Sequence, residues 1–360
     1  MAPAPTLIRG VLHVYVAFDW GDEIRLDQVR HLVPARAQEL PRRRRTPPSF
    51  FYRPAPAHLS LGPVPLELAE LGLVPAAAAV TLFDFGAVSL AFHIPFELTD
   101  DAVLRLAGSL AESAPLVQKA RAVLMPLYQQ LLPAVDAPSW SEELSEEYFV
   151  FQLPPELLER TRDSAWLAGV VHLESTAMSV DEVNEALRCR LTYSPCDLFV
   201  PDWAAAVLVD RDCDETLQAI EFANLQLLEF RHIDNRLDIS LADAARTVQP
   251  AARSLRTLWR FGARPLKMLG ALKVEAEGLF ERTSNVLKLI GDPYLARVYR
   301  LLATRFYLEA WMENIQRKLE VAEGIYQVVS DQASSFRLEF LEVVVVLLIL
   351  TEIVLALFRH

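Results

Sequence analysis

Three histidines could do chemistry. His93, His172 and His232 titrate near neutrality, and Glu174 and Asp234 lie close to two of them as carboxylates that could orient an imidazole for general-base work. Lone histidines are more often core or surface groups, so no catalytic residue is assigned and the protein is expected not to be an enzyme. Cys189, Cys196 and Cys213 are separated by six and sixteen intervening residues, unlike the paired CxxC knuckles of zinc sites. They read as buried free thiols of a reducing compartment, and no metal, cofactor or small-molecule substrate is expected. Glycine supplies 12 of 360 positions, and neither GxGxxG, GxxxxGK followed by Ser or Thr, nor GxSxG occurs. The signals for dinucleotide, nucleotide and serine-hydrolase sites are therefore missing.

Composition narrows the classes further. Apolar residues make up 52%, and 35 basic against 47 acidic side chains leave a net charge of -12. Such a chain is neither disordered nor a disulfide scaffold, and only a local patch could grip a phosphate backbone. Thirty of the basic residues are arginine, a skew that points to a bacterial genome. Met1 to Thr6 shows neither a secretory signal nor an Arg- and Ser-rich presequence.

The elements that must position these groups fall into an α+β order. Val11 to Phe18 reads as a strand and Leu26 to about Gln38 as a helix, followed by a loop carrying Arg42 to Arg45 and Pro47-Pro48. Val80 to Ile94, with Asp84, Phe85 and Gly86 at its middle, reads as an antiparallel hairpin. Asp100 to Leu132 is helical, with breaks at Pro115 and Pro126. A second α/β stretch follows: strand Tyr148 to Leu153, helices within Ser164 to Leu173 and Ser179 to Leu187, and strands Cys189 to Tyr193 and Ala204 to Val209. Ser179 and Glu182 stand in capping-box spacing. The expected class is α+β: a sandwich-like α/β domain over 1–210, divisible near 138, then a long helical bundle or coiled coil over 211–338 and a membrane anchor over 339–360.

After Asp212 all spacing is helical. Ile220, Ala223, Leu227, Phe230, Leu237 and Leu241 form one stripe with Asp234 intruding, and Gly291-Asp292-Pro293 marks a turn before a last helix. From Leu308 a heptad seam is legible. Leu308, Ile315, Ala322, Val329 and Phe336 share one position; Met312, Leu319, Tyr326, Ala333 and Phe340 share another. Its partner is either the chain's own upstream helices or a second copy.

Val343 to Phe358 holds thirteen Val, Leu, Ile or Phe residues with one acid, Glu352. Val343, Val344, Leu347, Leu350, Val354 and Phe358 outweigh that carboxylate on an insertion scale, so the segment is expected to span a lipid bilayer as a tail anchor. At about 1.5 Å per residue the run reaches roughly 24 Å, so the bilayer must thin or Phe340 to Glu342 must enter its edge. Upstream, Arg253, Arg256, Arg260, Arg264 and Lys267 repeat at three- or four-residue steps, a basic stripe suited to lipid headgroups, to nucleic acid or to water alone. Ser139 to Leu187 carries eleven acids and two bases, a face that would turn away from such partners.

Leu82 to Val88, Ala219 to Arg231, Glu281-Arg282-Thr283, Gly291-Asp292-Pro293 and Arg337 to Glu342 resemble the family named after the fungal protein required for meiotic nuclear division, which has mitochondrial and bacterial members. The resemblance implies an α/β part, long helices and one membrane helix, with self-association at an inner membrane in support of membrane-protein synthesis. The expectation is a non-enzymatic tail-anchored scaffold, a homo-oligomer that tethers a protein or ribonucleoprotein at a bacterial inner membrane, or at the mitochondrial one in a eukaryote. Two alternatives stand beside it: a soluble helical interaction module whose apolar last helix is buried by a partner, and an enzyme whose site shows no motif.

Overall fold

The protein, seen as a computed structural model, is described over residues 7–33, 37–38, 54–248, 270–281 and 292–358. It divides into two compact units, 1–230 with 282–309 and 231–281 with 310–360.

The first unit is built on one mixed eight-stranded sheet. Its strands are β1 Leu7–Asp19, β3 Ala37–Gln38, β4 Ala57–Leu68, β5 Gly72–Leu82, β6 Ala87–Thr99, β8 Glu146–Leu153, β9 Leu198–Pro201 and β10 Ala205–Val209, with β2 Glu23–Ile24 and β7 Val135–Asp136 pairing separately. The order is β3-β4-β5-β6-β1-β8-β10-β9, and only the β8–β10 pair is parallel among those described. β1 lies between β6 and β8, so both its edges are paired, and Leu12 to Asp19 is buried throughout. Alternation sends Ile8, Leu12, Val14, Val16 and Phe18 to one face. There they join Val103 and Leu106 of α2 (Asp100–Leu110), Leu116 and Leu124 of α3 (Ala114–Leu131), and Trp166 and Val170 of α4 (Ser164–His172).

The opposite face carries His13, Tyr15, Ser89, His93, Thr81 and Gln152 by the same alternation. It meets α6 (Asp214–Val248), whose Asn224 Nδ2 donates to the Glu146 carbonyl at 3.2 Å and whose Phe222 ring stands beside Phe83. This face is polar and small-residued beneath a helix.

Proline decides where the sheet stops. The β5–β6 ladder runs from Leu82↔Val88 to Ala77↔His93. Two steps further, Pro75 would stand opposite Pro95, and neither ring nitrogen carries a hydrogen. On the other side of β5, Pro65 pairs with Pro75. A hydrogen-bonded pair would need both amides, so this is a non-hydrogen-bonded pair with its ring nitrogens turned outward. Pro63 and Pro65 thereby remove donors from the outer edge of β4 beyond the residues that pair with β3.

The hairpin expected over Val80 to Ile94 is present, turning at Asp84 to Gly86 with φ 92° at Gly86. Ser179 Oγ accepts the Glu182 amide at 3.2 Å, and α5 (Val180–Ala186) follows. Four details differ from the sequence reading. The first helix, α1 (Leu26–Leu32), stops short of Gln38, and Ala37–Gln38 is already strand. Pro126 lies inside α3 without ending it, because tertiary burial of Leu124, Leu127 and Leu131 outweighs one lost backbone bond. The strand placed at Cys189 to Tyr193 is a single bridge, Leu191↔Phe199, while Leu198–Pro201 forms the edge strand. The last helix is two: α8 (Pro293–Arg305) and α9 (Leu308–Phe358), separated at Tyr307 with φ 54°. The run Arg42 to Arg45 lies outside the described residues.

The second unit contains the C-terminal part of α6 from Arg231, helix α7 over 270–281, and α9 from Ala310. Ile233, Leu237, Leu272, Ala276, Leu279, Ile315 and Ala322 are buried. Lys318 Nζ lies 2.7 Å from Asp234 and 2.6 Å from Asp238, and Arg236 pairs with Glu275 at 2.8 Å.

The expected transmembrane helix and tail anchor require correction. Among the described residues no helix is long and apolar enough to cross a membrane. Val343 to Phe358 is a run of sixteen residues, about 24 Å of helix interrupted by Thr351 and Glu352 and bounded by Glu342, against a requirement of about 20 predominantly apolar residues.

Candidate functional site

The apolar stretch of α9 presents a run of consecutive exposed hydrophobic side chains. Val345, Val346, Leu347, Leu348, Ile349, Leu350 and Ile353 are each between 46 and 64% exposed. At 100° per residue, six consecutive positions pass right around the helix, so the surface is apolar on every side rather than along one stripe. Thr351 Oγ1 donates back to the Leu347 carbonyl and so adds no polar group to this surface. Val344 is half-buried, and the side chains of Val343, Glu352, Val354 and Phe358 lie outside those described.

The described part of the seam is covered within the chain. Leu308, Ile315 and Ala322 are buried and Met312 and Leu319 half-buried, while the side chains of Tyr326, Val329, Ala333, Phe336 and Phe340 are not described. In the second unit Asn314 Nδ2 donates to Asp234 Oδ1 at 2.9 Å, beside the Lys318 pair. The acid that interrupts the α6 stripe thus meets polar groups of α9 in the seam region. Arg253, Arg256, Arg260, Arg264 and Lys267 lie outside the described residues.

The candidate catalytic groups are not brought together. His93 faces His13 across the β1–β6 ladder, with their Nδ1 atoms 2.6 Å apart. His13 Nε2 lies 2.9 Å from Gln152 Oε1, and Gln152 Nε2 donates to the Asp210 carbonyl at 3.0 Å. Burial, then the neighbouring His93, holds the His13 imidazole down at about 4. His93 is lowered too, by burial first and then by His58. On the same face Glu221 of α6 is pushed up to about 7 by burial, against the opposing effect of the Ser89 and Thr81 hydroxyls.

His172 meets Asp202 rather than Glu174. Its Nδ1 donates to Asp202 Oδ2 at 2.8 Å, and Arg305 Nε donates to Asp202 Oδ1 at 2.6 Å. The Trp203 amide adds a third bond to that carboxylate at 2.7 Å, and Arg305 also reaches Glu185 at 2.9 Å. Glu174 instead binds the amide and hydroxyl of Thr176. Asp202 is fully buried and thus spends its charge on tying α8 to the β9–β10 turn and α4. His232 is half-buried in α6, and Asp234 is taken by Lys318. Cys189 and Cys213 are buried free thiols, Cys196 an exposed one. Among the described residues no set of three or more His, Cys, Asp or Glu side chains converges as metal ligands.

His13, Gln152, Asp202 and Arg305 had no signal in the sequence. His13 and His93 meet through strand register across 80 residues, and Arg305 and Asp202 across 103. No local spacing encodes either meeting.

A mixed-sheet α+β domain with buried polar networks, continued by long helices, is the class these observations define. Residues 9–215 match the family described as uncharacterized protein MJ0711, N-terminal domain, and the chain belongs to that family. A Methanocaldococcus jannaschii protein called uncharacterized protein MJ0711 is 31% identical over 178 residues, which cover 49% of this chain and 53% of the relative. The chain thus spans about half the length of the curated relative it matches. No solved structure matches. Kinship with the fungal and mitochondrial proteins is not shown by these comparisons.

Proposed function

We propose that the protein works by binding rather than by catalysis, as an interaction module whose exposed apolar side chains between Val345 and Ile353 are received by a protein partner. The observation that carries this reading is the exposure of seven large aliphatic side chains around the whole circumference of α9. A helix apolar on all sides is ordinarily buried. A single partner helix, packing along one seam, would cover only about two residues in seven, so the partner is a protein with an enclosing apolar groove or channel. The seam around Ile315 and Ala322 is already buried, which favours a different protein over a parallel coil with a second copy. On this reading the sheet unit is the body that the helix attaches to its partner. Kinship with the fungal and mitochondrial proteins belongs to the same proposal, supported by the residues from Leu82 to Val88 and from Ala219 to Arg231.

Size analysis of native extracts tests it. The full chain is expected to elute in an assembly larger than itself, and a V346D/L348D/L350D variant to elute alone. Identical elution of the two would overturn the reading.

A further inference from the structure

Three hydrogen bonds run from β6 through β1 and β8 to a carbonyl four residues before the start of α6. Their direction is fixed by one atom. The Asp210 carbonyl can only accept, so the nitrogen facing it at 3.0 Å is the Gln152 amide nitrogen, and Gln152 Oε1 faces His13. His13 Nε2, 2.9 Å from that oxygen, therefore carries its proton. A neutral His13 then holds its lone pair on Nδ1, and His93 Nδ1, 2.6 Å away, must donate to it. His93 is left with Nε2 as its basic nitrogen.

The order of protonation follows from this geometry. A first proton on His93 Nε2 leaves all three bonds in place and makes the His93–His13 bond charge-assisted. A second, on His13 Nδ1, would set two N–H groups face to face across 2.6 Å. We propose that the His13–His93 pair is a one-proton site, and that a second protonation breaks the His13–His93 bond and loosens β1 from β6 at that rung of the ladder.

The groups acting on the pair come from every neighbouring element. His58 of β4 opposes charge on His93, and Asp214 of α6 favours it. Gln152 of β8 is neutral and favours charge on His13 through its oxygen. Tyr15 of β1 and Glu221 of α6 lie further along the same face, with Cys213 and Asp214 beside Tyr15. The Arg9–Glu97 pair stands exposed at the far end of the ladder. Burial, rather than any one of these charges, is the largest influence on both imidazoles, which keeps the doubly charged state out of the neutral range.

Ring-nitrogen NMR of the full chain through an acid titration reads the order directly. His93 is expected to take up its proton first while His13 stays neutral to about pH 4; His13 titrating first would overturn the inference. His13→Gln keeps an acceptor for His93 and removes the second site. The slope of stability against pH near pH 5 should then show about one proton fewer bound on unfolding than in the native chain, and an unchanged slope counts against the proposal. Amide exchange separates a broken rung from general weakening. Below pH 4, loss of protection concentrated in β1 and β6 around His13 and His93 supports it, and equal loss across β1, β6, β8 and β10 contradicts it.

Discussion

Arg305 and Asp202 form an ion pair whose side chains are 6% and 0% exposed, joining α8 to the turn between β9 and β10. The Asp202 carboxylate is fully satisfied, with His172, Trp203 and Arg305 as donors. Removing one partner leaves a buried charge, which costs far more than removing both. Arg305→Met is expected to lower stability by about 3–5 kcal/mol, and the double variant R305M/D202L by clearly less, measured by denaturant midpoints. Equal losses would show the pair to be solvated.

Glu221 sets a limit on the alkaline side. Its carboxyl is raised to about 7 by burial. Between about pH 4.5 and 7 the folded state therefore binds more protons than the unfolded one, so this contribution is complete below 4.5 and is lost as pH rises through 7. Glu221→Gln stays neutral throughout. At pH 8 it should be more stable than the native chain, by on the order of 2–3 kcal/mol, with the advantage gone at pH 4. A thermal series at the two pH values checks the sign.

Gly86 is held by both its angle and its neighbour. Its φ is +92°, and a Cβ there would run into the Gly21 carbonyl. Gly86→Ala should cost about 3 kcal/mol or more, since strain and backbone displacement add. Gly62→Ala, also at positive φ but facing open space, is expected to lose only the strain, about 1 kcal/mol. Similar losses at the two sites would refute the clash.

The sequence displayed its local features more fully than its long-range ones. The β1 pattern, the Asp84 to Gly86 turn, the Ser179 cap and the helical spacing after Asp212 are each written within a few neighbouring residues, and each is present among the described residues. The polar networks were invisible because strand register, not spacing, joins His13 to His93, and because Asp202 looks in sequence like any turn acid. Pro126 misled because burial of three leucines outweighs a proline's local cost. The apolar C-terminal run misled in the opposite way: thirteen Val, Leu, Ile and Phe residues read as a span, while Thr351 and Glu352 interrupt a run of sixteen residues, about 24 Å, that falls short of one. What survives of that signal is its exposure, and exposure asks for a cover.

The most direct measurement places a photo-reactive side chain at Leu347 of the full chain in cells, with Tyr193, exposed on the sheet unit, as the control position. The account predicts a discrete cross-linked protein at 347, absent at 193 and different from the chain itself. Cross-links to lipid, to a second copy, or to the same proteins at both positions would contradict it.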